Sequence, residues 1–124
     1  MKIICVIDEH RIVETNIDRD LIFRSGATNV IELVFIDRDG FRLNITGWTI
    51  NLIIREMFST SEDIINMDAV EFVEPLLGEA RIELTPEDSD GIVGNFIYQL
   101  NALSDIDQDY VVSEGMCCFK SKMS

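Results

Sequence analysis

The chain has 124 residues, of which 47% are apolar, so it is long enough for one well-buried core and too short for two. Acidic residues outnumber basic ones 23 to 10, and the formal net charge of −13 would repel nucleic acid and anionic membrane surfaces. We therefore expect a single domain over residues 1–124, without a nucleic-acid or membrane partner.

Residues 1–20 are predicted to form an N-terminal strand and an arm. Lys2–Ile7 is mostly apolar, as in a strand that is covered on both faces or meets a partner chain. The sequence shows neither a secretory signal pattern nor a run of about 18 apolar residues. These features favour a chain that stays in the cytoplasm as synthesised, with His10, its single histidine, as an ordinary exposed side chain.

The next segment alternates apolar runs with glycine turns. Val30–Ile36 is apolar on both faces apart from one glutamate, which is typical of a central strand. Asp37–Gly40 has the composition of a hairpin turn and should lead into a strand at Phe41–Leu43. Asn44–Gly47 is predicted to form a second turn.

Three later segments show the period-two alternation of half-buried antiparallel strands: Trp48–Arg55, Ala80–Thr85 and Asn95–Leu100. One face of each segment is apolar and the other is mostly polar, so one side should be buried. The predicted inward set is Trp48, Ile50, Leu52, Ile54, Ala80, Ile82, Leu84, Phe96, Tyr98 and Leu100.

Residues 56–77 fit neither helical nor strand periodicity, and we interpret them as a long excursion with one short strand near Val70–Val73. Thr85-Pro86-Glu87-Asp88 has a capping hydroxyl, a proline and two acids, which predict one short helical turn that Gly91 ends. The cysteines at the C-terminus should lie on a further strand, and residues 120–124 should form a frayed tail.

The sequence contains no recognisable catalytic constellation. A single histidine removes paired-histidine metal sites. Cys5, Cys117 and Cys118 are an odd set, and adjacent strand residues point to opposite faces, so we expect all three cysteines to be reduced. We predict no catalytic, cofactor-binding or metal-binding residues and no enzyme activity.

One acidic stretch partly resembles a cation site. Asp105–Asp109 places carboxylates at alternating positions, like the start of a calcium loop. The sixth and twelfth positions of such a loop are glycine and glutamate, whereas this chain has Tyr110 and Met116. A solvated turn between two strands is therefore the favoured interpretation.

A carbohydrate site is the other ligand pattern to weigh. Trp48, Tyr98 and Tyr110 could form a stacking platform for a sugar, but the inward register of Trp48 and Tyr98 favours core packing. Asn44-Ile45-Thr46 matches a glycosylation triplet, which carries little weight without a secretory signal.

Several of these pieces occur in an order that resembles a known family. The pieces are G-A-T, D-R-D-G, N-I-T-G-W-T-I-N-L-I-I-R, G-E-A-R-I-E-L-T-P-E-D, G-N-F-I-Y-Q-L and V-S-E-G-M-C-C-F, spread over residues 23–119. Together they resemble the N-terminal domain of phage baseplate upper proteins and related tail-fibre adaptor domains. The resemblance implies an immunoglobulin-like antiparallel β-sandwich with one short helical turn.

The resemblance also implies a function. It predicts a non-enzymatic virion structural protein of the phage tail, baseplate or fibre attachment, assembled in the host cytoplasm as a homo-oligomer, with three copies expected. Lys2–Ile7 and Met57–Phe72 are the predicted contacts with sister chains and other tail proteins, because both segments are rich in apolar residues. The alternative is a stand-alone carbohydrate-binding β-sandwich, in which Trp48, Tyr110 and the turn at Asp105–Asp109 bind a glycan with the help of calcium.

Overall fold

The computed structural model describes residues 2–8, 11–13, 20–57, 63–68 and 71–121. Within these residues, ten strands form two five-stranded sheets. Sheet I has the order β2-β1-β4-β8-β7 and is formed by β1 Lys2–Asp8, β2 Arg11–Val13, β4 Asn29–Ile36, β7 Glu71–Glu74 and β8 Glu79–Leu84. Sheet II has the order β3-β10-β9-β5-β6 and is formed by β3 Leu21–Arg24, β5 Thr49–Glu56, β6 Ile65–Asp68, β9 Gly94–Leu103 and β10 Asp109–Lys120.

The core lies between the two sheets and is filled by alternate side chains of their central strands. All ten side chains predicted to face inward pack in this core or against it, with Trp48 half-buried at its margin. The rings of Phe23 and Phe119 stack with their centroids 4.8 Å apart, and Phe96 meets Phe119 edge to face at 5.7 Å. The prediction of an all-β sandwich is confirmed.

Each sheet also contains one parallel pair, which strand periodicity does not reveal. β1 runs parallel to β4 in sheet I, and β3 runs parallel to β10 in sheet II. The remaining pairs are antiparallel. The sheets are therefore mixed rather than antiparallel throughout, because strands that cross between the two layers return beside earlier strands in the same direction.

The predicted turn at Asp37–Gly40 forms, but the predicted strand after it does not. The Asp37 carboxylate accepts hydrogen bonds from the amides of Asp39 and Phe41 at 2.9 and 3.0 Å. Residues 41–43 then make a single bridge, from Arg42 to Ile36. The strand prediction is wrong because β4 already pairs with β1 on one edge and with β8 on most of the other.

Gly78, the residue before β8, extends the hydrogen bonding between β4 and β8. Its carbonyl accepts a hydrogen bond from the Phe35 amide at 2.8 Å, and its φ is +70°. A Cβ at this position would overlap the carbonyl oxygen of Phe35 and lie 2.9 Å from that of Leu43. Only glycine fits here, because both the backbone angle and the space exclude a side chain.

The predicted helical turn is confirmed as α1, Pro86–Ser89. The Asp88 carboxylate accepts hydrogen bonds from the backbone amide of Thr85 at 2.7 Å and from its hydroxyl at 3.0 Å. Such a cap satisfies backbone groups that a helix leaves unpaired at its start. None of the helices in the part of the chain that the structure describes has the length and apolar character needed to cross a bilayer.

The segment 56–77, predicted as a long excursion, contains two strands and a 3-10 turn. β7 confirms the predicted short strand over 71–73, whereas β6 was not predicted. The segment leaves sheet II at β6 and enters sheet I at β7, followed by the 3-10 turn Pro75–Leu77. The described residues do not include 58–62 or 69–70, and so they leave out Val70 of the predicted strand. They also do not include His10 or residues 122–124 of the predicted tail.

Candidate interaction surface

The acidic stretch 105–109 is the predicted turn between β9 and β10. The Ser104 hydroxyl accepts hydrogen bonds from the amides of Ile106 and Gln108 at 3.3 and 3.1 Å, and Asp107 has a φ of 61°. Within the described ranges, no three His, Cys, Asp or Glu side chains converge as metal ligands would. The Ser104 hydroxyl therefore organises the backbone of this turn.

The structure brings together two of the three aromatic residues weighed as a sugar platform. The rings of Trp48 and Tyr110 stack at 5.9 Å with an interplanar angle of 16°, and the Phe35 ring meets Trp48 edge to face at 5.8 Å. Tyr98 lies apart in the core, where its hydroxyl is 3.0 Å from that of Ser113. The rings of Trp48 and Tyr110 therefore pack against each other, as aromatic residues of a core do.

The three thiols occupy different environments. Cys5 and Cys117 are buried, and burial raises the pKa of each thiol to about 12. The adjacent Cys118 is partly exposed on the opposite side of the same strand. All three are free, and the buried pair lacks the low pKa that a reactive cysteine needs.

The remaining predicted pattern, the triplet at 44–46, is a turn with its own hydrogen bonds. The Asn44 side-chain oxygen accepts from the Thr46 amide at 3.0 Å and from the Thr46 hydroxyl at 2.6 Å. Ile45 is fully buried between them. The triplet therefore serves the predicted turn, which Gly47 completes with a φ of +83°.

The outer face of sheet II carries an apolar patch that the predictions did not single out. It is formed by side chains on four adjacent strands, namely Ile22 on β3, Met116 on β10, Ile97 on β9 and Ile53 on β5, which we call the sheet II patch. Ile22, Met116 and Ile97 are 53%, 41% and 39% exposed. Met116, Ile97 and Ile53 border a shallow depression of about 440 Å³, which Tyr98 also lines.

A β-bulge in β10 produces this patch. Val112 and Ser113 are successive residues and both are buried, because the register shifts between Val111 and Ser113. Without the shift, Met116 would face the core; with it, Cys117 and Phe119 face inward and Met116 faces solvent. The hydrogen bond between Ser113 and Tyr98 provides the extra inward residue with a polar partner.

The outer face of sheet I has a different character. Strand register places Lys2, Glu32, Arg81 and Glu71 side by side across four strands, so that charges alternate in sign. The Arg81 guanidinium lies 3.3 Å from Glu71 and 3.2 Å from Glu83. In the next row, Val34 is only 8% exposed although it faces outward.

The predicted contact segment Lys2–Ile7 contributes to both the core and the surface. In Lys2–Ile7 the alternate residues Ile3, Cys5 and Ile7 are buried in the core, while Ile4 is 42% exposed on the outer face of sheet I. Much of Met57–Phe72 lies outside the described residues. A sequence signal for the sheet II patch did exist, since Ile53 and Ile97 are apolar residues in an otherwise polar outward register.

Comparison with known proteins supports the fold. No protein-family model matches the sequence, and no curated protein matches it. Among solved structures, the chain is similar to the N-terminal domain of phage TP901-1 ORF48, with a TM-score of 0.59 and 9% sequence identity. The match covers 96% of this chain and 98% of that one, so the two share their fold over nearly the whole length.

Proposed function

We propose that this protein is a non-enzymatic structural component of a phage tail or baseplate, including fibre attachment, and that it works in the virion by binding sister chains and other tail proteins. The observation that carries the proposal is the sheet II patch, an apolar surface left open on a complete sandwich. Apolar patches rimmed by polar groups mark protein contacts. The shared fold with a phage protein domain supports the choice of particle.

Two further observations support a role without catalysis. The buried thiols are protonated at physiological pH, since burial raises the pKa of Cys5 and of Cys117 to about 12. The acidic turn at 105–109 is organised by its own serine rather than aimed into a cleft. The described surface offers area for contacts with other chains. We expect a homo-oligomer of three copies that joins neighbouring tail proteins.

Mass spectrometry of purified phage particles tests this proposal directly. We expect the chain in the particles together with recognised tail proteins, and its gene among tail genes. Absence from the particles, with neighbouring genes that encode metabolic enzymes, would contradict the proposal.

A carbohydrate-binding module is the second candidate, and the Trp48–Tyr110 stack beside the acidic turn is the observation in its favour. It predicts a monomer whose glycan binding is lost with chelator, whereas the structural role predicts an oligomer that ignores chelator. Light scattering and glycan-array binding, each with and without EDTA, separate the two. A Trp48→Ala variant that folds and loses glycan binding would establish the second candidate.

A further inference from the structure

We propose that the sheet II patch packs against the same patch of a second copy of this chain, related by a two-fold axis. This inference rests on the proposed function, in which the protein assembles through its strand faces, and it names one partner and one geometry.

One row of residues crosses the four strands with an acid at one end and a base at the other. Register pairs Met116 with Ile97 and Ile97 with Arg55. β3 runs parallel to β10 with Leu21 beside Cys117. Extending this register by one residue places the exposed Asp20 beside Met116. The row therefore reads Asp20, Met116, Ile97, Arg55.

This row is complementary to itself. A two-fold axis parallel to the strands, between β9 and β10, places β3 of one copy over β5 of the other and β10 over β9. Asp20 then faces Arg55 of the second copy, and Met116 faces Ile97, each contact occurring twice. Such self-complementarity is the requirement of an isologous interface.

Arg55 can bind Asp20 of the second copy while it stays paired with Asp63 of its own chain. Its Nε atom donates to the Asp63 carboxylate within the chain. A guanidinium has five N–H donors, so the terminal nitrogens can reach a second carboxylate. In the neighbouring row, Glu114 pairs with Gln99 in register, and the same axis places each over the other in the second copy, as acceptor over amide donor.

The charge of this face also favours a second copy. The chain as a whole has a net charge of −13, which opposes association of like chains. Together with Asp20, the outward residues of β3, β5, β9 and β10 include three bases and three acids, which are Arg24, Arg55, Lys120, Asp20, Asp109 and Glu114. Two copies can therefore meet on this face with little like-charge repulsion.

The available area sets the strength of the contact. Four strands about 4.8 Å apart and about six residues long present roughly 400 Å² in projection per copy. Counted over both copies and with allowance for protruding side chains, the buried area is about 1,000 Å². This area is at the low end of specific interfaces. We expect a weak dimer, which leaves strand edges for the contacts of a three-copy ring.

A matched pair of substitutions tests which face associates. Ile97 and Ile4 are 39% and 42% exposed on the outer faces of sheets II and I, so Ile97→Glu and Ile4→Glu make the same change on opposite faces. Sedimentation velocity over the micromolar range should show the dimer dissociation constant rising about a hundredfold or more for Ile97→Glu, since it places a carboxylate at the interface centre. Ile4→Glu should leave it unchanged.

A charge swap tests the two-fold geometry. Asp20→Arg and Arg55→Asp should each raise the dissociation constant about tenfold, because each creates two like-charge contacts. The double variant Asp20→Arg/Arg55→Asp should restore it to within about threefold of wild type. Thermal unfolding of each variant checks that it is folded, because Arg55→Asp also removes the ion pair with Asp63.

The outcomes separate this inference from the proposed function. An oligomer that Ile97→Glu and the single charge reversals leave intact would overturn the inference while the proposed function stands. Loss of association with Ile4→Glu alone would move the contact to sheet I. A chain that stays monomeric throughout would also overturn the inference, and its presence or absence in purified particles would decide the proposed function independently.

Discussion

The two outer faces of the sandwich follow the same alternation of residues but differ in how their side chains are paired. On sheet I, charged side chains of opposite sign lie side by side from Lys2 to Glu71, and Arg81 bonds to its neighbours. On sheet II, the central row has apolar residues at its middle and single charges at its ends. The first face pairs several of its charges within the chain, although Ile4 and Val73 are exposed there, whereas the second has apolar side chains between isolated charges. This contrast is the reason why we propose assembly through sheet II rather than through sheet I.

The largest expected effect comes from substituting Gly78, which lies next to β8 in sheet I. Gly78→Ala should lower the free energy of unfolding by about 3 kcal/mol, because a Cβ would overlap two backbone carbonyls at a positive φ. Gly40→Ala is the matched control, since Gly40 also has a positive φ but nothing within 4 Å of its Cβ position, and should cost about 1 kcal/mol. Denaturant unfolding measures both. Equal losses would mean that the backbone at Gly78 moves aside.

Alkaline pH should weaken the core that both sheets share. Burial raises the pKa of Cys5, from sheet I, and of Cys117, from sheet II, from 9.0 to about 12. The native state therefore holds thiol protons that the unfolded chain releases above pH 9, so stability is full below about pH 9 and falls as the pH rises towards 12. For Cys5 the slope approaches about 1.4 kcal/mol per pH unit. Denaturant midpoints from pH 8 to 11 measure it.

A cysteine variant provides the control for the alkaline prediction. Cys5→Ala should be less stable at neutral pH but should lose less stability between pH 9 and 11 than wild type. Cys118→Ala should keep most of the wild-type slope, because burial is the largest cause of the raised pKa of Cys117 and the charge of Cys118 is a smaller one. A wild-type slope that survives in Cys5→Ala would assign the alkaline transition to other groups.

A smaller effect should link the core to the sheet II patch. Tyr98→Phe removes the hydroxyl that is 3.0 Å from Ser113, so a buried serine loses its partner at the bulge. We expect a loss of about 1 kcal/mol in unfolding free energy and a weaker dimer, since this bulge turns Met116 outward. Tyr110→Phe, whose hydroxyl bonds to exposed Gln108, should change neither by a measurable amount. Unchanged stability in Tyr98→Phe would mean that water replaces the hydroxyl.

Period-two alternation predicted most of the sandwich core from the sequence. Inward residues such as Leu52, Ile82 and Leu100 could be assigned because apolar and polar residues alternate over six or more positions. β6 could not, because it lies in a stretch, residues 56–77, whose apolar residues fit neither helical nor strand periodicity as a whole. Parallel pairing of β1 with β4 could not either, since periodicity gives a strand its faces but not its neighbours. The immunoglobulin-like classification stays a prediction.

The sheet II patch depended on a feature that alternation cannot show. Ile53 and Ile97 were visible as apolar residues in an outward register. Met116 was not, because the bulge between Val111 and Ser113 reverses the faces of β10 after it. Simple alternation from Tyr110 would have placed Met116 in the core and Cys117 outside. Predicting such a surface requires the position of the bulge, which follows from packing in three dimensions.

The smallest expected effect concerns the charges of sheet I. Arg81→Ala removes partly exposed ion pairs with Glu71 and Glu83, and such pairs typically contribute about 0.5 kcal/mol or less because solvent screens them. The loss should disappear in high salt, where screening weakens the wild-type pairs equally. Sedimentation should show the wild-type dissociation constant, since the proposed contact lies on sheet II. An Arg81→Ala variant that is stable but fails to associate would place a contact on sheet I and remove the difference between the two faces.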